Sequence, residues 1–357
     1  MMEESKIYKI WLVSTIGLTM IILAMLASVT IYIDPLFHYH APLDRFAYPI
    51  YNERYQNDGI TRKFEYDGII TGTSMTENFK KTEADVLFDA DFIKVPYMGG
   101  TYKEINDNLK RAYHAGKNIR YVIRCLDYSL MDTDKDAYSE NMDYPFYLYN
   151  DNLFDDLNYV LNKEILFTQT GYVIDYTRDG NQTTSFDEYA NWNDLFAFGA
   201  DEVLGTYTLG EKIENSSALT QEEYDRLMGN IRQNVTDLAD EHPETVFCYF
   251  FSPYSICYWD NLNNAGKAEW WINAEKAVIE EILKHPNIKL YSFTNNYELV
   301  CNLDNYKDEG HYGEWVNSWI LQWMHEGKYL LTKDNYQEYI NSIREFYLSY
   351  DYASLRK

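Results

Sequence analysis

Residues 67–74 read Asp67-Gly68-Ile69-Ile70-Thr71-Gly72-Thr73-Ser74. The apolar run predicts a buried strand, and the Gly-x-Ser that follows predicts a tight turn at its carboxyl end. Close to the other end of the chain, residues 308–311 read Asp-Glu-Gly-His. A serine on a strand-to-helix turn, a nearby imidazole and a carboxylate are the hydroxyl, base and orienting acid that nucleophilic acyl chemistry needs. We therefore expect the two segments to meet in space.

Strand and helix patterns alternate on both sides of a polar segment rich in Tyr, Asp and Asn at 131–220. Strands are predicted at 68–73, 92–96, 120–126, 245–251 and 288–293, and helices at 75–89, 102–115, 220–241, 265–284 and 313–325. This alternation predicts an α/β fold with a parallel sheet covered by helices on both faces. We interpret 131–220 as an insertion within one domain that covers 67–357.

Polar side chains and glycines follow several of the predicted strands. In parallel sheets, ligands bind outside the carboxyl ends of the strands. Ser74, Gly99, Gly100, Asp127 and Ser252 are all expected at those ends, so we predict a site there. Glu77 is a further candidate, although the helix dipole also explains an acid in a first turn.

Residues 10–33 contain no charged side chain. At 1.5 Å per residue they exceed the roughly 20 residues that span a bilayer. We predict an uncleaved signal anchor, with a cleaved signal peptide as the alternative. It would separate a short tail (1–9) from a juxtamembrane connector (34–66). The simplest arrangement is a single-pass protein of the cell membrane with its C-terminal domain extracytoplasmic, although basic residues flank the span on both sides.

Composition excludes some functions. With 31 basic and 56 acidic residues, the formal charge of −25 argues against nucleic-acid binding. The four cysteines do not have a metal-ligand spacing. His38 and His40 could bind a metal through two imidazoles, but no nearby cysteine or carboxylate cluster completes a site, so we expect no metal or cofactor and disfavour a metal-dependent hydrolase. Cys125 and Cys248 fall in strand-like runs and are expected as buried free thiols, while an outside location would permit one disulfide. The 35 tyrosines are either amphipathic filler or platforms for sugar rings.

The order of these motifs resembles that of the SGNH (GDSL-like) hydrolase superfamily: Gly-x-Ser after the first strand, glycine after the second, and Asp-x-x-His before a late helix. The N-terminal anchor, the segment Gly-Thr-Ser-Met-Thr-Glu-Asn-Phe at 72–79 and the Trp-rich helix after His311 are similar to its membrane-anchored envelope branch, the DltD and AlgJ/AlgX-like proteins. The resemblance covers roughly 65–130 and 220–327. It implies a three-layer α/β/α, flavodoxin-like domain.

The resemblance also implies roles for single residues. Ser74 matches the nucleophile, His311 the general base and Asp308 the carboxylate that orients it. The backbone N–H groups of Ser74 and of Gly99 or Gly100 match the oxyanion hole. The asparagine that the superfamily adds as a third donor has no clear match, because Asp127 stands at that strand end, and an ionised carboxylate cannot donate a hydrogen bond.

The implied function is serine-dependent O-acyl transfer or ester hydrolysis on a cell-envelope polysaccharide or a teichoic-acid-like polymer. The implied partner is a membrane-bound O-acyltransferase. The alternative is a catalytically weak or inactive SGNH-fold scaffold that binds the polymer or assists such an acyltransferase, to which an altered oxyanion hole would be suited.

Overall fold

The computed structural model describes residues 2–210 and 213–356. The strands are β1 (Gly68–Thr71), β2 (Phe92–Lys94), β3 (Tyr121–Leu126), β4 (Val246–Phe251), β5 (Ile288–Ser292) and β6 (Leu330–Leu331). The helices are α1 (Met2–Ile33), α2 (Glu53–Lys63), α3 (Lys81–Phe88), α4 (Tyr102–His114), α5 (Tyr128–Met131), α6 (Leu157–Val160), α7 (Thr170–Arg178), α8 (Ala200–Thr206), α9 (Gln221–Ile231), α10 (Asp237–Glu241), α11 (Ile256–Asn264), α12 (Ala268–Ile282), α13 (Tyr297–Cys301), α14 (Glu314–His325) and α15 (Tyr336–Ser349).

The six strands form one sheet in the order β2-β1-β3-β4-β5-β6. All neighbours are parallel except β5 and β6, which are antiparallel. Strand β1 pairs Gly68 with Phe92 of β2 on one side and with Tyr121 of β3 on the other. The prediction of an α/β fold with a mostly parallel sheet is therefore confirmed. The carboxyl ends of β1 to β5 all point to the same edge.

The two central strands β3 and β4 are buried almost throughout, which explains their nearly continuous apolar sequences. The exception is Arg124, which is fully buried in β3. Its guanidinium donates to the carbonyl of Asn234 at 2.7 Å and lies over the rings of Tyr102 and Tyr249. Burial lowers the pKa of Arg124, and these aromatic and carbonyl partners offset part of the cost of burying its charge.

The predicted helix at 75–89 is wrong in its first half. A 3₁₀ turn covers Ser74–Thr76, and α3 begins only at Lys81. The buried Lys94 Nζ donates to the carbonyl oxygens of Glu77 and Phe79. A continuous helix would use those oxygens internally, so this contact holds the chain outside the helical path.

The chain divides into two compact units. The sheet unit comprises Glu65–Asp143 and the chain from Phe186 onward, and it contains all six strands. The helical unit comprises the chain up to Phe64 together with Tyr144–Ser185, and it contains α1, α2, α6 and α7. The polar segment at 131–220 is thus shared between the two units.

Helix α1 is long and apolar enough over Ser5–Ile33 to cross a membrane, and most of its side chains are exposed. It ends where Asp34 takes a positive φ of 50°. The Asp34 carboxylate then accepts the backbone N–H groups of His38, Tyr39 and His40, which closes a compact turn at the helix end.

All four cysteines are free. Cys125 and Cys248 are buried in β3 and β4, as predicted, and Cys257 is buried as well.

Candidate active site

The turn after β1 requires a glycine before its serine. Gly72 has a φ of +151°, and a Cβ atom there would lie 2.7 Å from Thr76 Cγ2 and 3.1 Å from Cys125 Cβ. The turn therefore closes against β3 only because position 72 has no side chain. Ser74 follows as the first residue of the 3₁₀ turn, at the carboxyl edge of the sheet.

The structure brings Ser74, His311 and Asp308 together. Ser74 Oγ lies 2.9 Å from His311 Nε2. The other ring nitrogen, Nδ1, lies 3.0 Å and 2.9 Å from the two carboxylate oxygens of Asp308. Because a carboxylate can only accept, Nδ1 carries the hydrogen and Nε2 is left to accept the Ser74 hydroxyl proton. This is the geometry of a nucleophile, its base and the acid that orients the base.

The loop that carries the imidazole is held by the same carboxylate. Asp308 Oδ1 accepts the backbone N–H groups of Gly310 at 2.9 Å and of His311 at 2.8 Å. Burial alone would raise the pKa of Asp308, but the hydrogen bond and charge of His311, with these two N–H groups, outweigh it and lower that pKa below its usual value. Asp308 is therefore ionised at neutral pH.

Two side chains that the sequence did not single out hold the serine turn. Trp192 Nε1 donates to the carbonyl of Ser74 at 3.3 Å, and its ring meets that of His311 edge-on at 5.7 Å. From α14, Asn317 Nδ2 donates to the carbonyl of Met75 at 3.0 Å. Neither residue belongs to a recognisable motif. Only the fold brings them to the turn that carries Ser74.

The triad opens into a cavity of about 600 Å³. The predicted site residues that line it are Ser74, Gly99, Gly100, Asp127, Asp308 and His311. Other walls come from α5, α8 and the segment after β4. Glu77 and Ser252 are buried and do not line this cavity. Ser252 Oγ instead donates to the Tyr312 hydroxyl at 3.3 Å.

The backbone N–H groups expected to form the oxyanion hole differ in whether they already donate a hydrogen bond. The N–H of Ser74 begins the 3₁₀ turn and so has no acceptor within it. The N–H of Gly100 already donates to the carbonyl of Tyr97 at 2.8 Å. Gly99 lines the cavity in a left-handed conformation, with a φ of +57°. Of the two glycines, Gly99 is therefore the better candidate for an oxyanion donor.

Asp127 follows β3 and is almost fully buried at the cavity wall. Its Oδ2 accepts the Thr73 hydroxyl at 2.6 Å, and its Oδ1 accepts the Tyr254 hydroxyl at 2.7 Å. Burial raises the pKa of Asp127, although these hydroxyls, Cys125 and the charge of His311 work in the opposite direction. Asp127 thus links Thr73, which precedes Ser74, to Tyr254, with both carboxylate oxygens acting as acceptors.

Within residues 2–210 and 213–356, no three His, Cys, Asp or Glu side chains are grouped so that they could hold a metal ion. No protein-family model matches the chain, and no curated protein matches it.

Proposed function

We propose that this protein is a serine-dependent esterase or O-acyl transferase. The observation that carries the proposal is the continuous hydrogen-bonded series from Ser74 Oγ through both His311 nitrogens to the Asp308 carboxylate. Each group has the partner that its role requires, and the series opens into a cavity large enough for a substrate.

In the proposed reaction, Ser74 Oγ attacks the carbonyl carbon of an ester while its proton passes to His311 Nε2. Asp308 stabilises the imidazolium, and the N–H groups of Ser74 and Gly99 receive the negative charge on the carbonyl oxygen. Collapse of this intermediate returns the proton to the leaving alcohol and leaves an acyl ester on Ser74. Water or an acceptor hydroxyl then gives up its proton to His311 and attacks that ester, which frees the serine.

The fold supports assignment to the SGNH superfamily. The order 2-1-3-4-5 of the parallel strands is the order found in flavodoxin-like sheets. The nucleophile follows the first strand, as the resemblance implies, and the Asp-x-x-His loop directly precedes α14.

Helix α1 supports a membrane location. We infer that α1 anchors the chain in the cell membrane with the sheet unit on the extracytoplasmic side, because the helix is apolar over Ser5–Ile33. The substrate would then be an O-acylated polysaccharide or teichoic-acid-like polymer of the envelope. A membrane-bound O-acyltransferase would be the partner that supplies or receives the acyl group. Substrate and partner come from the family resemblance, whereas the side of the membrane is the simplest arrangement for a chain with a short N-terminal tail.

One observation favours a second candidate function, that of a scaffold or polymer-binding protein with little turnover. At the place of the superfamily's third oxyanion donor stands Asp127, whose two oxygens both accept hydrogen bonds. Losing one such donor typically lowers turnover by about 10²–10³.

Covalent labelling with a fluorophosphonate probe separates the two candidates. Wild-type protein should be labelled at neutral pH, and Ser74→Ala should not. Ser129→Ala is the matched control, because Ser129 is exposed and lines the same cavity, whereas the hydroxyl hydrogen-bonded to His311 Nε2 is that of Ser74. Labelling that persists in Ser74→Ala would refute Ser74 as the nucleophile. A folded wild type that resists the probe would refute the enzyme and leave the scaffold.

A further inference from the structure

The helical unit exposes large apolar side chains beyond α1 itself. Leu153 is 80% exposed, Phe154 84%, Leu157 56%, Leu161 38% and Phe167 65%. We call these five residues the 153–167 surface. Among the described residues, the helical unit beyond α1 exposes nine large apolar side chains, against eight in the far longer sheet unit. Clustered exposure of this kind marks an interaction surface.

The segment that carries this surface packs against the end of α1. Ala27 packs on the buried cluster of Leu36, Leu148, Tyr159, Val160 and Ile165. Thr30 Oγ1 donates to the carbonyl of Val160 at 3.4 Å. The Tyr159 hydroxyl donates to Asp34 Oδ1 at 2.6 Å. Residues 157–165 are therefore fixed to the last two turns of the helix.

The depth of these contacts is set by helix geometry. Thr30 and Ala27 lie three and six residues before Ile33, or about 4.5 Å and 9 Å along the axis at 1.5 Å per residue. Apolar faces of interfacial helices sit about 5–10 Å into the headgroup and acyl boundary. A bilayer that surrounds α1 as far as Ile33 would thus reach the level of Val160, which lies within the segment that carries the 153–167 surface.

The charges of the segment are compatible with that position. Asp156 turns into the protein, where it binds His38 Nε2 at 3.1 Å and the Tyr39 hydroxyl at 3.0 Å. Asp155 accepts from Asn150 Nδ2 at 2.9 Å. Lys163 and Glu164 are exposed, and long charged side chains at this level extend to the headgroups while their stems remain in apolar surroundings.

We propose that the 153–167 surface inserts into the interfacial region of the lipid leaflet that surrounds the C-terminal end of α1. The occupant is lipid, because the same segment is bound to the helix that defines the bilayer. The inference rests on the membrane anchor of the proposed function. It adds a second attachment that limits rotation of the helical unit about α1.

The test uses the full-length protein in vesicles of phosphatidylethanolamine and phosphatidylglycerol. Phe154→Cys is labelled with the polarity-sensitive dye NBD, and quenching is measured with lipids brominated at shallow or deep acyl positions. Val13→Cys reports on the span itself, since Val13 lies in α1 and is exposed. Val86→Cys is the matched control, an apolar side chain 83% exposed in the sheet unit. The wild type measures background labelling of its own cysteines.

We expect blue-shifted emission from the probe at 154, quenched more by shallow than by deep bromines, and water-like emission at 86. Lipid quenching at 13 with water-like emission at 154 would overturn the proposal and leave the anchor intact. An unquenched probe at 13 would overturn both. A third outcome is a probe at 154 that is not quenched by brominated lipids in vesicles but whose emission shifts to the blue in native membranes. It would assign the surface to a protein partner and overturn the lipid assignment.

Discussion

The sharpest consequence of the site geometry concerns Asp308→Asn. Oδ1 of Asp308 binds the N–H groups of Gly310 and His311, while Oδ2 lies 2.9 Å from His311 Nδ1. An asparagine can keep the loop by leaving its oxygen at the Oδ1 position. Its NH₂ group then replaces Oδ2, the oxygen nearer to Nδ1. The remaining oxygen lies 3.0 Å from Nδ1 but already accepts the two loop N–H groups, so the ring is favoured in the tautomer that carries hydrogen on Nε2. In that tautomer Nε2 cannot accept the Ser74 proton.

The size of the effect follows from this loss of the base. In triads of this kind, the same carboxylate-to-amide change lowers turnover by about 10⁴ while the geometry stays intact. At 1.36 kcal/mol for each factor of ten, this is about 5 kcal/mol of transition-state stabilisation. The second-order rate of labelling by a fluorophosphonate should fall accordingly, and melting of the protein should change little because the loop contacts persist.

The control is Asp334→Asn, the same chemical change at an exposed position in the sheet unit. It should label at the wild-type rate. Asp308→Ala provides a second comparison, since it also removes the loop contacts and should destabilise the protein more than Asp308→Asn does. If Asp308→Asn retains more than a tenth of the wild-type rate, Asp308 does not select the tautomer and the reasoning is refuted.

Three further predictions follow from individual contacts. Trp192→Phe keeps an aromatic ring beside His311 but removes the hydrogen bond to the Ser74 carbonyl. Such a bond is worth about 1 kcal/mol, so the labelling rate should fall about fivefold. An unchanged rate would show that Trp192 does not position the turn. Asp127→Asn should raise the labelling rate, because an ionised carboxylate at the cavity wall opposes the negative charge of the oxyanion. The gain should be largest at high pH, where Asp127 is ionised. A pH-independent loss of rate in a folded variant would contradict this. Burial raises the pKa of Glu275 from 4.5 to about 7. The folded protein therefore keeps a proton that the unfolded chain releases. Its free energy of unfolding falls by up to about 3 kcal/mol as pH rises from 4.5 through 7. Urea unfolding should show this decline in wild type but not in Glu275→Gln, whose side chain stays neutral.

Local sequence patterns predicted the sheet because parallel central strands are buried on both faces and read as short apolar runs. The predicted strands at 120–126 and 245–251 match β3 and β4 within one residue at their starts and fully at their ends. The short antiparallel β6 and helix α15 were not predicted. Strand β6 has only two residues, too few to show a strand pattern in the sequence.

The helix expected at 75–89 failed for a different reason. Helical spacing reports only local preference, whereas Lys94, on the next strand, donates hydrogen bonds to the carbonyl oxygens of Glu77 and Phe79. A buried ammonium group must find acceptors, and in this fold they come from the backbone of the preceding connection. Long-range polar demands of this kind leave no periodic signal.

The sequence by itself determined which three residues form the candidate site and at which edge of the sheet they lie. Ser74, Asp308 and His311 were recognisable because turn glycines and a short Asp-x-x-His spacing are local features, and because carboxyl ends of parallel strands share one edge. Tertiary structure alone decided what surrounds them. It placed Trp192 and Asn317 on the serine turn, engaged the Gly100 N–H with Tyr97 and turned Asp127 toward two hydroxyls. Each of these contacts, except the one at Gly100, joins residues far apart in the chain, so packing rather than local pattern selects it.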